Sequence, residues 1–219
     1  MQERAVDALE AVLKLDDRNA TALTGLAHAY EEEGDWSKAT EMLQRALEYS
    51  EAGSVKAEAL SRLGTLYMDQ LDEMDKAKRS FKDSVAEKPT SRAIDALIMF
   101  ARDDEDDARI GELLELKAPI VEGRERVNTL RELASYYQRV GRMDEQLAVL
   151  KSAHHEAPTE SKIAEMLVSR YLADQRFSEA EPIIQQMMRQ LEEGGKAKAL
   201  NRYTYQLGKL KQAQGDAAT

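Results

Sequence analysis

The sequence predicts an all-helical protein built from stacked helix hairpins. Charged residues make up 33% of the 219 residues and aromatic residues 5%, and there are only 4 prolines and 11 glycines. Such a composition, with few residues that interrupt a helix, favours α-helix throughout the chain. An internal repeat of about 35 residues supports the same conclusion, because repeats of this length are typical of helical arrays.

Large apolar residues recur as the anchors of this repeat: Leu26, Leu63, Ile98, Leu133, Leu167 and Leu207. A tyrosine follows four residues after four of these anchors: Tyr30, Tyr67, Tyr137 and Tyr171. A small residue then begins a second apolar stripe at Ala39, Ala77 and Ala180, and Gln146 stands in that place in the fourth unit. Small residues on an apolar stripe let two helices approach closely, so each unit is predicted to be a hairpin.

Two local features refine this interpretation. Gly34 and Gly141 are placed in the turns, where a left-handed backbone costs glycine little. Ser178 and Glu181 have the spacing of a capping box at the start of a helix. The methionines Met42, Met99, Met166, Met187 and Met188 are interpreted as core residues.

These residues resemble the tetratricopeptide repeat (TPR). Residues 20–53 carry the resemblance at Leu23, Leu26, Ala27, Tyr30, Gly34, Asp35, Trp36, Ala39, Leu43 and Ala46. Residues 57–90, 127–160 and 161–194 resemble the same repeat, and residues 92–122 form a degenerate unit with Arg102 in the place of the tyrosine. The resemblance implies a right-handed α-solenoid of antiparallel helix hairpins with about twelve helices, a TPR superhelix.

The predicted organisation is a single TPR array over residues 1–219. Residues 1–19 are interpreted as the second helix of a partial unit, and residues 197–219 as the first helix of a partial or capping unit. We therefore expect a fragment of a longer array, with native end caps as the alternative. Glu-Gly connectors precede every second unit, which predicts longer first helices in those units.

Few residues suggest chemistry. The chain has no cysteine, and its three histidines do not form a metal-binding pattern. The acidic run over residues 103–107 lacks the glycine and the distal glutamate of an EF-hand loop. With no nucleophile–base set or phosphate-binding loop, we expect no catalytic residue, no metal and no cofactor.

Charge and hydropathy limit the partners. The net charge of −10 disfavours nucleic acid, and no apolar run reaches the roughly 18 residues of a membrane span. Residues 1–118 carry a balance of −11, and residues 119–219 one of +1. The sequence does not fix the compartment: a cytoplasmic location is slightly favoured, and export of a longer parent protein stays open.

The resemblance implies that the first helices line a concave groove that binds a peptide or protein. In the C-terminal half the predicted groove residues are Arg131, Ser135, Arg139, Lys162, Ser169, Arg202, Tyr205 and Lys209. Their charge predicts an acidic or carboxylate-bearing partner. The alternative location is the acidic early groove around Glu31, Glu58 and Asp69.

The predicted function is a non-enzymatic scaffold for protein or peptide binding in a multiprotein assembly. The alternative is a regulatory or targeting arm of a larger enzyme, such as a kinase or glycosyltransferase. A structural spacer or self-associating module is the third possibility. The carboxylate clamp of chaperone-binding TPR domains is not implied, because Thr24, His28 and Arg62 replace its lysine and asparagines.

Overall fold

A computed structural model of the chain describes residues 2–51, 53–193, 197–213 and 215. The side chains of residues 2–4, 197–200, 202, 206, 210 and 213 lie outside this description. The described residues form α-helices and no strand, as the sequence predicted. The helices are α1 (Gln2–Leu15), α2 (Ala20–Glu33), α3 (Trp36–Tyr49), α4 (Ser54–Asp69), α5 (Met74–Glu87), α6 (Ser91–Asp103), α7 (Asp107–Lys117), α8 (Gly123–Arg139), α9 (Met143–Glu156), α10 (Ser161–Ala173), α11 (Phe177–Glu193) and α12 (Ala197–Ala213).

The chain divides into two compact units, Met1–Val121 and Glu122–Thr219. In the first unit α2 packs on α3, α4 on α5 and α6 on α7. In the second unit α8 packs on α9, α10 on α11, and α11 on α12. Each predicted repeat overlaps one such helix pair, and the repeat boundaries themselves stay a prediction.

The first helices alternate in length as the Glu-Gly connectors predicted. The helices that follow a connector, α4, α8 and α12, have 16, 17 and 17 residues. The first helices of the other units, α2, α6 and α10, have 14, 13 and 13 residues. The longer helices therefore recur at every second hairpin, which gives the array a two-unit period.

Close helix packing depends on small residues in three of the hairpins. Ala39, Ala77 and Ala180, each the fourth residue of its helix, have no exposed surface. Gly64 on α4 lies against the ring of Phe81 on α5, and a Cβ atom at Gly64 would come within 2.8 Å of that ring. This distance is well inside van der Waals contact, so the hairpin has no room for a methyl group there.

A left-handed residue occupies the turn of every hairpin, whether or not it is glycine. Gly34 and Gly141 have φ of 78° and 77°, as the sequence predicted. The sequence did not predict that Asp72, Glu105 and Gln175 take the same conformation, with φ between 52° and 57°. Packing of the two helices therefore imposes this backbone geometry on residues that do not favour it.

The repeat tyrosines are each covered by a cation of their own hairpin. Lys38 lies 5.2 Å from the ring centre of Tyr30, and Arg142 lies 4.5 Å from that of Tyr137. Tyr67 with Lys76 and Tyr171 with Arg176 repeat the arrangement. Cation–π contacts of this kind add to the apolar burial of the ring. In the degenerate unit the exposed Arg102 stands in the place of this tyrosine.

Two local expectations were wrong. Met99 is 40% exposed and is not a core residue, although Met42 and Met187 are buried. Ser178 does not cap α11, because the helix already begins at Phe177, and the Ser178 hydroxyl donates to Glu179 at 2.8 Å. The helix start is displaced because the preceding turn residue, Gln175, is left-handed.

Substitution of Gly64 tests the close packing of the hairpin. Gly64→Ala should lower the stability by about 1–3 kcal/mol, because the new methyl group overlaps the Phe81 ring. Gly208→Ala is the matched control: α12 leaves open space around Gly208, so alanine should raise the stability by about 0.5–1 kcal/mol. Equal urea midpoints for the two variants would show that Phe81 yields without cost.

Substitution of Gln175 tests the strain in the turn. Gln175→Gly should raise the stability by up to about 1 kcal/mol, because glycine adopts the left-handed conformation without a Cβ penalty. Gln175→Ala removes the same side chain but keeps the Cβ atom, so it should bring no such gain. Thermal melts of both variants measure the difference, and a gain of similar size for alanine would exclude backbone strain as the cause.

Candidate functional site

One candidate site lies within the second unit, where the end of α8, the start of α9 and one face of α10 meet. It is a cavity of about 390 Å³, called the α8–α10 cavity below. Its lining residues are Gln138, Met143, Gln146, Lys162, Glu165, Met166, Ser169, Arg170 and Ala173. The volume is large enough for one or two side chains of a bound segment.

Helical spacing explains the wall that α10 contributes. Lys162, Glu165, Met166, Ser169, Arg170 and Ala173 follow one another at intervals of three and one, and so share a face. The opposite face holds the buried Ile163, Ala164, Leu167, Val168 and Tyr171. Burial of that apolar face fixes the rotation of α10, and the polar face is thereby turned toward the cavity.

Lys162 is the cation that the cavity leaves without a counter-ion. Among the described residues it forms no ion pair, and it is exposed. Arg170 is already engaged, since its Nε donates to Oδ2 of Asp174 at 2.7 Å and its Nη2 pairs with Oδ1. A partner with a negative group therefore meets an available charge at Lys162 but not at Arg170.

The carboxylate of Glu165 also lines the cavity, but it is held by α12. The hydroxyl of the buried Tyr203 donates to Oε1 of Glu165 at 2.5 Å. Sequence reasoning missed Tyr203, although a tyrosine four residues before the anchor Leu207 was visible. This hydrogen bond satisfies part of the negative group in the cavity wall.

Gln146 is a nearly buried residue that lines the α8–α10 cavity. It is the fourth residue of α9 and is only 4% exposed. The equivalent residues of α3, α5 and α11 are the buried Ala39, Ala77 and Ala180. A glutamine thus occupies the close-packing position of this hairpin, and its side-chain amide has no hydrogen-bond partner among the described residues.

The predicted groove residues of α8 and α10 are only partly brought together. Lys162 and Ser169 line the cavity, whereas Arg131, Ser135 and Arg139 are not among its lining residues. Arg131 and Ser135 are half-buried, and the Ser135 hydroxyl donates to the Arg131 carbonyl oxygen at 3.1 Å. No ion pair of Arg131 occurs within the described part of the chain.

The predicted residues of α12 form a separate pair. Tyr205 is 64% exposed, and the Lys209 ammonium lies 4.9 Å from its ring centre. The side chain of Arg202 lies outside the described residues. The structure therefore assigns no common strip to the three first helices of this unit.

The first unit contains the alternative candidate, a cavity of about 310 Å³ between α2 and α4. Thr21, Thr24, Gly25, His28, Ser54, Val55, Glu58 and Arg62 line it. Arg62 lies 3.6 Å from Glu31 and 3.5 Å from Glu58, and its Nη1 donates to the Thr24 carbonyl oxygen at 3.4 Å. The charges of this groove compensate one another, and a ligand would have to displace existing ion pairs.

Within the described residues, no group of three His, Asp or Glu side chains could hold a metal ion. His28 lies 3.8 Å from Glu31 and 3.7 Å from Glu32. His154 on α9 is partly buried, which lowers the pKa of its imidazole. The same residues include no helix that is long and apolar enough to cross a membrane.

Comparison with known proteins identifies the repeat. The family model of the tetratricopeptide repeat matches residues 3–53. The structure of YrrB, described as a TPR protein with an unusual peptide-binding site, superposes with a TM-score of 0.54 at 15% identity. That match covers 84% of this chain and 92% of YrrB. Residues 3–53 match the tetratricopeptide repeat, and the chain shares the fold of a solved TPR protein.

A second solved structure extends the comparison of the fold to nearly the whole chain. The C-terminal part of a TPR repeat-containing protein from Cytophaga hutchinsonii superposes with a TM-score of 0.53 at 10% identity. The match covers 99% of this chain and 86% of the Cytophaga hutchinsonii chain. No curated protein matches the sequence. At these identities the solved structures show the fold alone, and the TPR fold is typical of protein-interaction scaffolds.

Proposed function

We propose that this TPR protein is a non-enzymatic scaffold whose second unit binds a carboxylate-bearing peptide or protein segment at the α8–α10 cavity. The observation that carries the proposal is the exposed Lys162, which lines a 390 Å³ cavity without an ion-pair partner among the described residues. The hydroxyl of Ser169 and the side-chain amide of Gln138 line the same cavity. Together they offer a charge and hydrogen bonds to an acidic group.

Charge-assisted hydrogen bonds favour a carboxylate over a neutral group at this cavity. Such bonds are worth about 1.5–3 kcal/mol, roughly twice a neutral pair. Residues 119–219 carry a net charge of +1, whereas residues 1–118 carry −11. Acidic segments are thus repelled less by the second unit than by the first, and long-range electrostatics should direct them there.

The first unit is a poorer candidate for the same task. Its cavity places Glu58 beside Arg62, and Arg62 is also paired with Glu31. An acidic ligand would meet these carboxylates, and a basic ligand would have to break pairs in which Arg62 is largely buried. Loss of such a pair leaves a poorly solvated charge, which opposes binding.

Charge reversal at Lys162 in the α8–α10 cavity, together with Arg131 on α8, tests the proposal. The parent protein should select Asp- and Glu-containing sequences from a randomised linear peptide library at low salt, where electrostatic attraction is least screened. The variant with Arg131→Glu and Lys162→Glu should lose this selection, because both groups lie on the first helices of the unit. An unchanged selection would place the binding site elsewhere.

Matched reversals on the second helices provide the control. Lys151→Glu and Arg189→Glu change the net charge by the same amount at exposed positions of α9 and α11. This double variant should keep the acidic selection of the parent. If it loses the selection equally, the effect reports the total charge of the unit and not a site.

Release of Arg170 should strengthen binding of the same peptides. Asp174→Asn removes the carboxylate that engages Arg170, and so adds an available cation to the cavity wall. Affinity for a selected acidic peptide should rise several-fold in calorimetric titrations, since a charged hydrogen bond becomes available. Asp144→Asn, an exposed change of the same charge on α9, should leave the affinity unchanged. A lower affinity of Asp174→Asn would show that the Arg170–Asp174 pair shapes the cavity.

A further inference from the structure

One polar residue lines the α8–α10 cavity at a helix position that is alanine in three other hairpins. The fourth residue of the second helix is Ala39 in α3, Ala77 in α5 and Ala180 in α11, and all three are fully buried. In α9 this residue is Gln146, which is 4% exposed. Three hairpins of the same protein therefore fold with alanine at this position and the α6–α7 hairpin with Ile110, whereas the α8–α9 hairpin has a long amide side chain.

The amide of Gln146 is available to a ligand. It forms no side-chain hydrogen bond among the described residues, and its polar atoms are not fully buried although the residue is only 4% exposed, so the amide faces the open space of the cavity. A packing role would be met better by an apolar side chain. Residues that break a local rule of the fold without a structural benefit are expected at functional sites.

The surroundings of Gln146 indicate what its amide meets. The residue lines the same cavity as Lys162 and Ser169, with the thioethers of Met143 and Met166 as apolar walls. The Glu165 carboxylate, on the same face of α10 as Lys162, already accepts a hydrogen bond from Tyr203. An acidic side chain that enters beside Lys162 would thus meet the amide of Gln146, the least exposed amide among the lining residues.

We infer that Gln146 is a specificity-determining residue of the α8–α10 cavity, whose side-chain NH₂ donates a hydrogen bond to the carboxylate of a bound Asp or Glu side chain. Lys162 supplies a positive charge to the carboxylate, and Gln146 supplies a hydrogen-bond donor that fixes where the carboxylate binds. The inference rests on the proposed function, because it names the group that reads the acidic partner at the same site.

A double-mutant cycle tests the inference. The probe is an acidic peptide selected on the parent protein, together with a copy in which its essential Asp or Glu is replaced by Asn or Gln. Gln146→Ala should lower the affinity for the acidic peptide about tenfold, as expected for loss of one charge-assisted hydrogen bond. Its affinity for the amide copy should change less than twofold.

Stability measurements separate recognition from packing. Gln146→Ala restores the residue that the other hairpins use, so its urea midpoint should equal or exceed that of the parent. Gln146→Glu keeps the shape of the side chain but adds a negative charge, and should abolish binding of the acidic peptide. A clear loss of stability or of folding in Gln146→Ala would assign Gln146 to packing and overturn the inference.

The outcomes also distinguish this inference from the function on which it rests. Equal losses for the acidic peptide and its amide copy, with the dependence on Lys162 intact, overturn the role of Gln146 alone. Binding of the acidic peptide by Gln146→Glu with the affinity of the parent would also overturn the role of Gln146 alone. If the parent selects no acidic peptides at all, the proposed function fails and the inference fails with it.

Discussion

The close approach of two helices within each hairpin is the constraint on which the rest of the structure depends. At Gly64 the neighbouring helix lies so near that a single methyl group would overlap the Phe81 ring. The fourth residue of α3, α5 and α11 is a fully buried alanine for the same reason. Once the helices lie this close, one polar face of each first helix is left for solvent or a ligand, because the other faces are buried.

The same constraint explains the strained turns. Two helices in close contact must be joined by a turn of one geometry, and that geometry includes a left-handed residue. Gly34 and Gly141 adopt it readily, whereas Asp72, Glu105 and Gln175 are held in it at φ above 50°. Packing over a whole hairpin therefore outweighs a local backbone preference of about 1–2 kcal/mol. The tyrosines next to the turns, with their cations above the ring, add to this packing.

The fold could be predicted from the sequence because its determinants repeat. Apolar anchors and small residues at a constant spacing identify the hairpins, and the Glu-Gly connectors identify the longer first helices. The predictions that were wrong concern features that do not repeat along the chain. Met99 has the same hydrophobicity as the buried Met42, and only its position on α6 leaves it 40% exposed. Ser178 and Glu181 fit a capping pattern that starts the helix at Glu179, but the helix begins two residues earlier, at Phe177.

The candidate site shows the limit of family-based prediction. The family groove positions include Lys162 and Ser169, which line one cavity, and also Arg131 and Arg139, which lie outside its lining. The family groove positions do not include Gln146, because that residue belongs to a second helix, where the repeat pattern requires a small residue for packing. The signal was present as a mismatch to the pattern. In a repeat protein each hairpin serves as a control for the others, so a buried polar mismatch at a packing position indicates a local function more directly than agreement with the repeat does.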